Sequence, residues 1–355
     1  GVRKGFPGAY CPATRGSCLR SVLCRYVRQR DAVASMFLRG LAAATPLVAG
    51  VEQYALVDVD DTIIEVHGYA KAGSGYGYSG VRGLNALIAT VTTKDAAPVI
   101  VAQRLRKGSC GSPRGAKRLV ADALATVKKL RTDPGAKVLL RADSAFYGRG
   151  AIGAAVRAGA QVSVTVRLDK LIRATIAAIP DHAWTTIQYT DAIFEETTST
   201  WISRAEVAEV PFTAFAAGKK TDQVPGRLVV RRIPDLNTHT GQGTLFDTWR
   251  FHGFFTTSTL DTVTADKTHR GHAIIEQVHA DLKNSALAHL PSGKFTANAA
   301  WLVLAAIAFN LTRAAGTLTG TTLAKATTAT IRRKLVHVPA RIASSARRLS
   351  LHLPT

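Results

Sequence analysis

An apolar run from Ala55 to Val57 leads into acids at Asp58, Asp60 and Asp61 within YALVDVDDTIIEVHG, residues 54–68. The pattern predicts a strand. Side chains alternate faces along a strand, so Asp58 and Asp60 point the same way. LNALIATVTT (84–93) and PVIVAQRLR (98–106) predict two more strands and complete a three-strand meander. KAGSGYGYSGVRG (71–83), between the first two, reads as a glycine-rich hairpin loop. Upstream, residues 31–51 have helical apolar spacing at Val33, Met36, Phe37 and Leu41, with Pro46 as the stop. That helix is expected to pack beside the first strand.

Residues 116–131 carry a helical period that RTDPG closes. AKVLLRADSAFYG (136–148) is a short apolar strand ending at Asp143, which could equally serve as N-cap of a helix over 150–158. QVSVTVRL (161–168) is a fifth strand. From 169 to 248 the chain turns Thr-rich, with short strands such as GRLVVRRI (226–233) and a polar turn, NTHTGQG (237–243). This stretch reads as an insertion rather than a continuation of the sheet. WRFHGFFTTST (249–259) returns to strand character.

THRGHAIIEQVHADLKNSALAHL (268–290) has helical spacing that puts His269, His272, Glu276 and Lys283 on one face. Ala273, Ile274 and Val278 are left to face the core. The longest apolar run, 299–309, suits a buried helix and falls short of the ~18 residues of a membrane span. Residues 1–30 show no period, and no secretory signal is visible there. Four cysteines form no C-x-x-C pair, so reduced thiols in a cytoplasmic protein are the simplest reading.

Charge narrows the function. Forty-six Lys and Arg against 24 Asp and Glu give +22, which points to a polyanionic partner, above all nucleic acid. After Asp281 there is no Asp or Glu, while ten Lys or Arg follow. An acidic strand end in so basic a chain suits metal-dependent cleavage of nucleic acid or phosphate transfer. A turn-forming role for the acids is the plainer alternative. Glu276 and His279 also match a di-metal bundle motif, but that needs a second copy, which is missing.

The order strand, strand, strand, helix, strand, helix, strand, insertion, helix, with acids at Asp60, Asp143 and Glu276, resembles the ribonuclease H-like core of DDE transposases. The likeness is to a branch of bacterial insertion-sequence transposases with a strand-rich insertion before the Glu. DVDDT is similar to the segment around the first catalytic Asp, and EVHG with YGYSGVRG to the stretch that follows it. RLRKGS (104–109) is similar to a strand-end segment, and RADSAFYG carries the second Asp. The late helix resembles the Tyr-Arg-Glu-Lys signature, with His269 and His272 at its Tyr and Arg positions. KNSALAHLP and WLVLAAIAFNL continue the likeness, which runs from about residue 31 to the end.

The resemblance implies an α/β fold: a mixed five-stranded sheet flanked by helices, over 54–168 and 249–315, interrupted by the insertion at 169–248. A helical lead-in (31–53) and a basic tail (316–355) flank it, and the irregular 1–30 falls outside the family's pattern. It implies that Asp60, Asp143 and Glu276 hold two magnesium ions, which manganese can replace, with Asp60 serving both. Lys283, Arg270, His269, His272 and Arg104 are then the DNA contacts. The partners are double-stranded DNA (transposon ends and target) and a second copy in a homodimer, in a nucleoid-associated setting. Two alternatives stand. One is a truncated, inactive DNA-binding remnant. The other is a haloacid dehalogenase-like phosphatase with Asp58 as nucleophile, since Asp58, Asp60 and Thr62 match its opening motif.

Overall fold

The structure, a computed structural model, describes residues 24–133, 135–195, 200–234, 249–345 and 348–352. Most of residues 1–30 and the whole NTHTGQG turn lie outside these. The first helix, α1 (Cys24–Ala44), starts earlier than its apolar spacing suggests. It ends two residues before Pro46, whose ring and missing N–H forbid continuation. Its inward face also differs from expectation. Val33 and Met36 are exposed, Leu38 is buried, and the helix lies along the C-terminal apolar helix and a sheet edge.

The expected meander forms. β1 (Tyr54–Glu65) pairs antiparallel with β3 (Arg82–Thr92), and β3 with β4 (Val99–Lys107). The glycine-rich loop adds a two-residue strand, β2 (Gly75–Tyr76), on β3. After α2 (Ala116–Leu130), β5 (Lys137–Ala142) returns parallel to β1. After α3 (Arg149–Arg157), β6 (Gln161–Thr165) lies parallel to β5. These helices are the crossovers a parallel pair requires.

The stretch read as a separate insertion instead extends the sheet. Following α4 (Lys170–Ala177) come β7 (Thr185–Glu195), β8 (Thr200–Ala214) and β9 (Val224–Pro234), then β10 (Trp249–Thr256). β10 pairs antiparallel with both β6 and β9, so one ten-stranded mixed sheet replaces the expected five strands. The hydrophobic pattern of a strand reveals which face it buries, not which edge it joins.

The late helix is also not continuous. α5 (Thr262–Arg270) passes through a tight turn at Gly271–Ala273 into α6 (Ile274–Lys283). The apolar α7 (Phe295–Leu318) follows. It is long and apolar enough to cross a membrane, but 56% of its most apolar window is buried in the protein, as suits a core helix. Its buried Asn310 exchanges two hydrogen bonds with the Ile100 backbone, each 2.8 Å long.

Helices cover both faces of the meander. Val57, Val59 and Leu87 pack on α2, while Ile64, Leu84 and Ile88 pack on α6 and α7. By alternation, Asp58 and Asp60 take the α6 side and Asp61 the α2 side. That sorts the three acids.

Candidate active site

The strands deliver the acids with different surroundings. Asp58 is completely buried and held by Arg141 of β5 in a two-pronged pair: Nε donates to Oδ1 and Nη2 to Oδ2, both at 2.7 Å. The parallel register sets Asp58 directly beside Arg141. The third Arg141 nitrogen, Nη1, donates to the Thr268 carbonyl at 2.6 Å, just before the helix break. His272 Nδ1 lies 3.2 Å from Asp58 Oδ1. A carboxylate so enclosed cannot attack a phosphate, which overturns the phosphatase alternative.

Asp61, on the other face, pairs with Arg106 at 2.9 Å and accepts from the Asn85 amide. Arg106 is itself buried, bonding Asn85 at 2.9 and 2.6 Å and the carbonyls of Ser112 and Arg114. Both flanking acids are thus neutralised by protein cations.

Among the described residues, no Lys or Arg forms an ion pair with Asp60. Its Oδ1 accepts the Asp61 amide, at 2.7 Å, and its Oδ2 lies 3.5 Å from His279 Nδ1. Burial pushes its carboxyl up to about 7; the Asp143 and Asp61 charges add to this, and the Asp61 N–H and His272 oppose it. Asp143 follows the last residue of β5 and caps the short turn Ser144–Phe146, accepting from Ala145 N at 3.0 Å. So its capping and its place near Asp60 coexist. Burial raises its pKa too, against the Ala145 N–H bond.

Asp60 and Asp143 line one cleft with Lys283 of α6, Tyr76 and Tyr78 of the glycine-rich hairpin, and Ser109. His279, one turn before Lys283, is buried, and burial holds its imidazole neutral by lowering its pKa to about 4. Its Nε2 is buried with no hydrogen-bond partner among the described residues.

A family model described as transposase DDE domain group 1 matches residues 49–355. The chain belongs to the DDE transposases. No curated protein gives a significant match to it.

In this DDE transposase the other residues singled out in the sequence are placed unevenly. Glu276 sits in the first turn of α6, on the face that carries His279 and Lys283, but it is exposed. Among the described residues no three metal-binding side chains converge. His269 packs against β6 and β10. Its two ring nitrogens sit 2.9 Å from Ser163 Oγ and 3.0 Å from Thr165 Oγ1, and its ring stacks on Phe254. Burial of its ring drops its pKa to about 3, so it is neutral there. Arg270 bonds the buried Asp266 at 2.8 Å, and Arg104 bonds Asp122 at 3.0 Å beside α2, away from the cleft. His272 does approach the acids, through Asp58.

Arg141, Arg106 and Asn85 escaped the sequence reading, and His279 entered it only as half of a di-metal motif, not as a neighbour of Asp60. One signal was available: Arg141 in KVLLRA and Asp58 in YALVDV are single charges inside apolar strands, and such charges require partners.

Proposed function

We propose that this chain is a transposase that cuts DNA at transposon ends and joins the freed ends to target DNA, using Asp60, Asp143 and Glu276. The observation that carries this reading is the cleft that Asp60, on β1, and Asp143, just after the parallel β5, line together. Asp60 is largely buried, Asp143 is open to solvent, and neither has an ion pair with a Lys or Arg among the described residues. Burial first, then the Asp143 charge, raises the Asp60 pKa. The β4-β3-β1-β5-β6 part of the sheet, with β1, β5 and β6 parallel, supports a ribonuclease H-like core.

Two neighbouring carboxylates, one largely buried and one open to the cleft, fit a divalent ion that prefers oxygen ligands, and magnesium or manganese meets that description. Asp60 and Asp143 would hold it, and Glu276 would complete the set from α6. The ions, when bound, activate the attacking oxygen and stabilise the leaving one. The chain's own residues do the positioning. Lys283 on the cleft wall is placed to hold a phosphate. Arg141 fixes β1, β5 and the α5–α6 break relative to one another. Water opens the phosphodiester at the transposon end, and the freed 3′-hydroxyl then attacks the target strand. No covalent protein intermediate is involved. Acting on two ends calls for two copies, and the reaction belongs with chromosomal DNA in the cytoplasm.

The exposed Glu276 favours one second reading: a protein that binds DNA without cutting it. Nicking of DNA carrying the element's ends, with magnesium or manganese, separates them. Wild type should nick, while Asp60→Ala, Asp143→Ala and Glu276→Ala should each lose activity by at least about a hundredfold. Activity that survives Glu276→Ala sinks the triad. A wild type that binds but never nicks supports the second reading.

A further inference from the structure

The C-terminal end of the chain carries a surface that the cleft does not explain. After one wide helical turn, Arg332–Val336, come β11 (Arg341–Ser345) and β12 (Arg348–His352). They pair antiparallel as a separate two-stranded ribbon outside the ten-stranded sheet. Ile342 and Leu351 are direct cross-strand partners, yet they are 65% and 60% exposed. Val336, just ahead of the ribbon, is exposed to the same degree, 65%. A two-stranded ribbon is marginal in water unless one face is covered. Here the apolar pair is uncovered.

Charge says what covers it. Arg332, Arg333, Lys334, Arg341, Arg347 and Arg348 fall within seventeen residues, and the chain has no Asp or Glu after Asp281. Arg333, Lys334 and Arg341 are exposed. A surface of one sign around a small apolar patch is a poor match for a second, equally basic copy of itself. It is a good match for a nucleic-acid groove. The major groove of B-form DNA, about 12 Å wide, admits a two-stranded ribbon, and its floor offers thymine methyls to apolar side chains. Five residues per strand span roughly 17 Å, about the rise of five base pairs.

We propose that the strands β11 and β12 form a second DNA-contacting element that enters the major groove of double-stranded DNA outside the cleft. Ile342 and Leu351 face the groove floor, while Arg341, with Arg333 and Lys334 from the preceding turn, grips phosphates. The inference rests on DNA being the substrate, and it adds the element, the groove and the side chains.

The test uses the full chain and a fluorescently labelled duplex, with anisotropy titrations at several salt concentrations. The triple variant Arg333→Ala, Lys334→Ala, Arg341→Ala should bind at least tenfold more weakly. Its salt slope should fall by about 0.9 for each phosphate that the variant no longer neutralises. The double variant Ile342→Ser, Leu351→Ser should weaken binding severalfold and leave the slope unchanged. Both variants should melt as wild type does, since the altered side chains are exposed. Wild-type affinity and slope in the triple variant would overturn the proposal while leaving DNA binding elsewhere intact. A change of oligomeric state in the double variant, with DNA binding untouched, would also overturn it and assign the face to a second copy. If strand cleavage itself fails, the nicking assay shows that separately and this comparison still stands.

Discussion

Asp58 and Asp60 are two residues apart on one face of β1, and their environments assign them opposite work. Asp58 takes a forked Arg141 pair in a fully buried site. Removing one member of such a pair strands the other charge, so Arg141→Met should cost about 3–5 kcal/mol of stability. Arg141→Lys should recover only part of that, because an ammonium cannot form the fork. Denaturant unfolding measures both, and a loss below about 1 kcal/mol for Arg141→Met would contradict the pairing. His269 makes a prediction of opposite chemistry. Its folded pKa of about 3 lies below the ordinary 6.5, so the unfolded chain binds the extra proton as pH falls between those values. Its contribution to stability is therefore complete above about 6.5 and is lost on acidification, at up to about 1.4 kcal/mol per pH unit. Since Asp60 and Asp31 are shifted upward and oppose this trend, the clean measurement is a difference. The stability advantage of wild type over His269→Gln should shrink from pH 6 to pH 4. A constant advantage would mean that His269 is not held neutral.

At the scale of elements, alternation and helical period recovered the meander, β5, β6, α2 and α3 to within a few residues, because each buries a face that its own sequence marks. What the pattern could not carry was contact between distant segments. The helix break is one case: a Cβ on Gly271 would come within 2.9 Å of Arg141 Nη1, a residue 130 positions away in the chain. His269, ahead of it, packs on Ser163, Thr165 and Phe254 instead. The union of the insertion with the sheet is another, since edge hydrogen bonds leave no side-chain signature. The glycines of the hairpin loop are a third. Their count suggested a turn, yet three backbones cross there at the cleft wall. A Cβ on Gly108 would press against the carbonyl oxygens of Gly83 and Gly75, and one on Gly77 would come 2.7 Å from the Gly108 carbonyl. Gly108→Ala should therefore destabilise the chain by about 3 kcal/mol or more, as strained core substitutions do. Gly40→Ala, in α1 with nothing within 4 Å, should be neutral or stabilising by up to about 1 kcal/mol. Thermal unfolding of the two side by side gives the answer, and equal effects would refute the crossing.

For the whole molecule, the net charge of +22 and the acidic cleft pull in opposite directions. A cationic protein stabilises carboxylates in general, yet burial and neighbouring acids prevail locally and hold Asp60 near 7. Without metal, the Asp60 proton is then half lost at neutral pH. A divalent ion binding there must compete with that proton. Below pH 7 the apparent magnesium affinity should fall by up to tenfold per pH unit. Above pH 8 it should level off, since Asp60 is by then ionised. Near neutrality each binding event should release a fraction of a proton. Calorimetry of magnesium binding at pH 6, 7 and 8, repeated in two buffers of different ionisation enthalpy, measures both quantities. Asp60→Asn should bind weakly and lose the pH dependence, while Asp58→Asn, if it folds, should keep the dependence. That contrast separates the two carboxylates that share a face of β1. Magnesium affinity that is flat from pH 6 to 8 in the wild type would show that Asp60 is ionised throughout, and that the basic surroundings outweigh its burial.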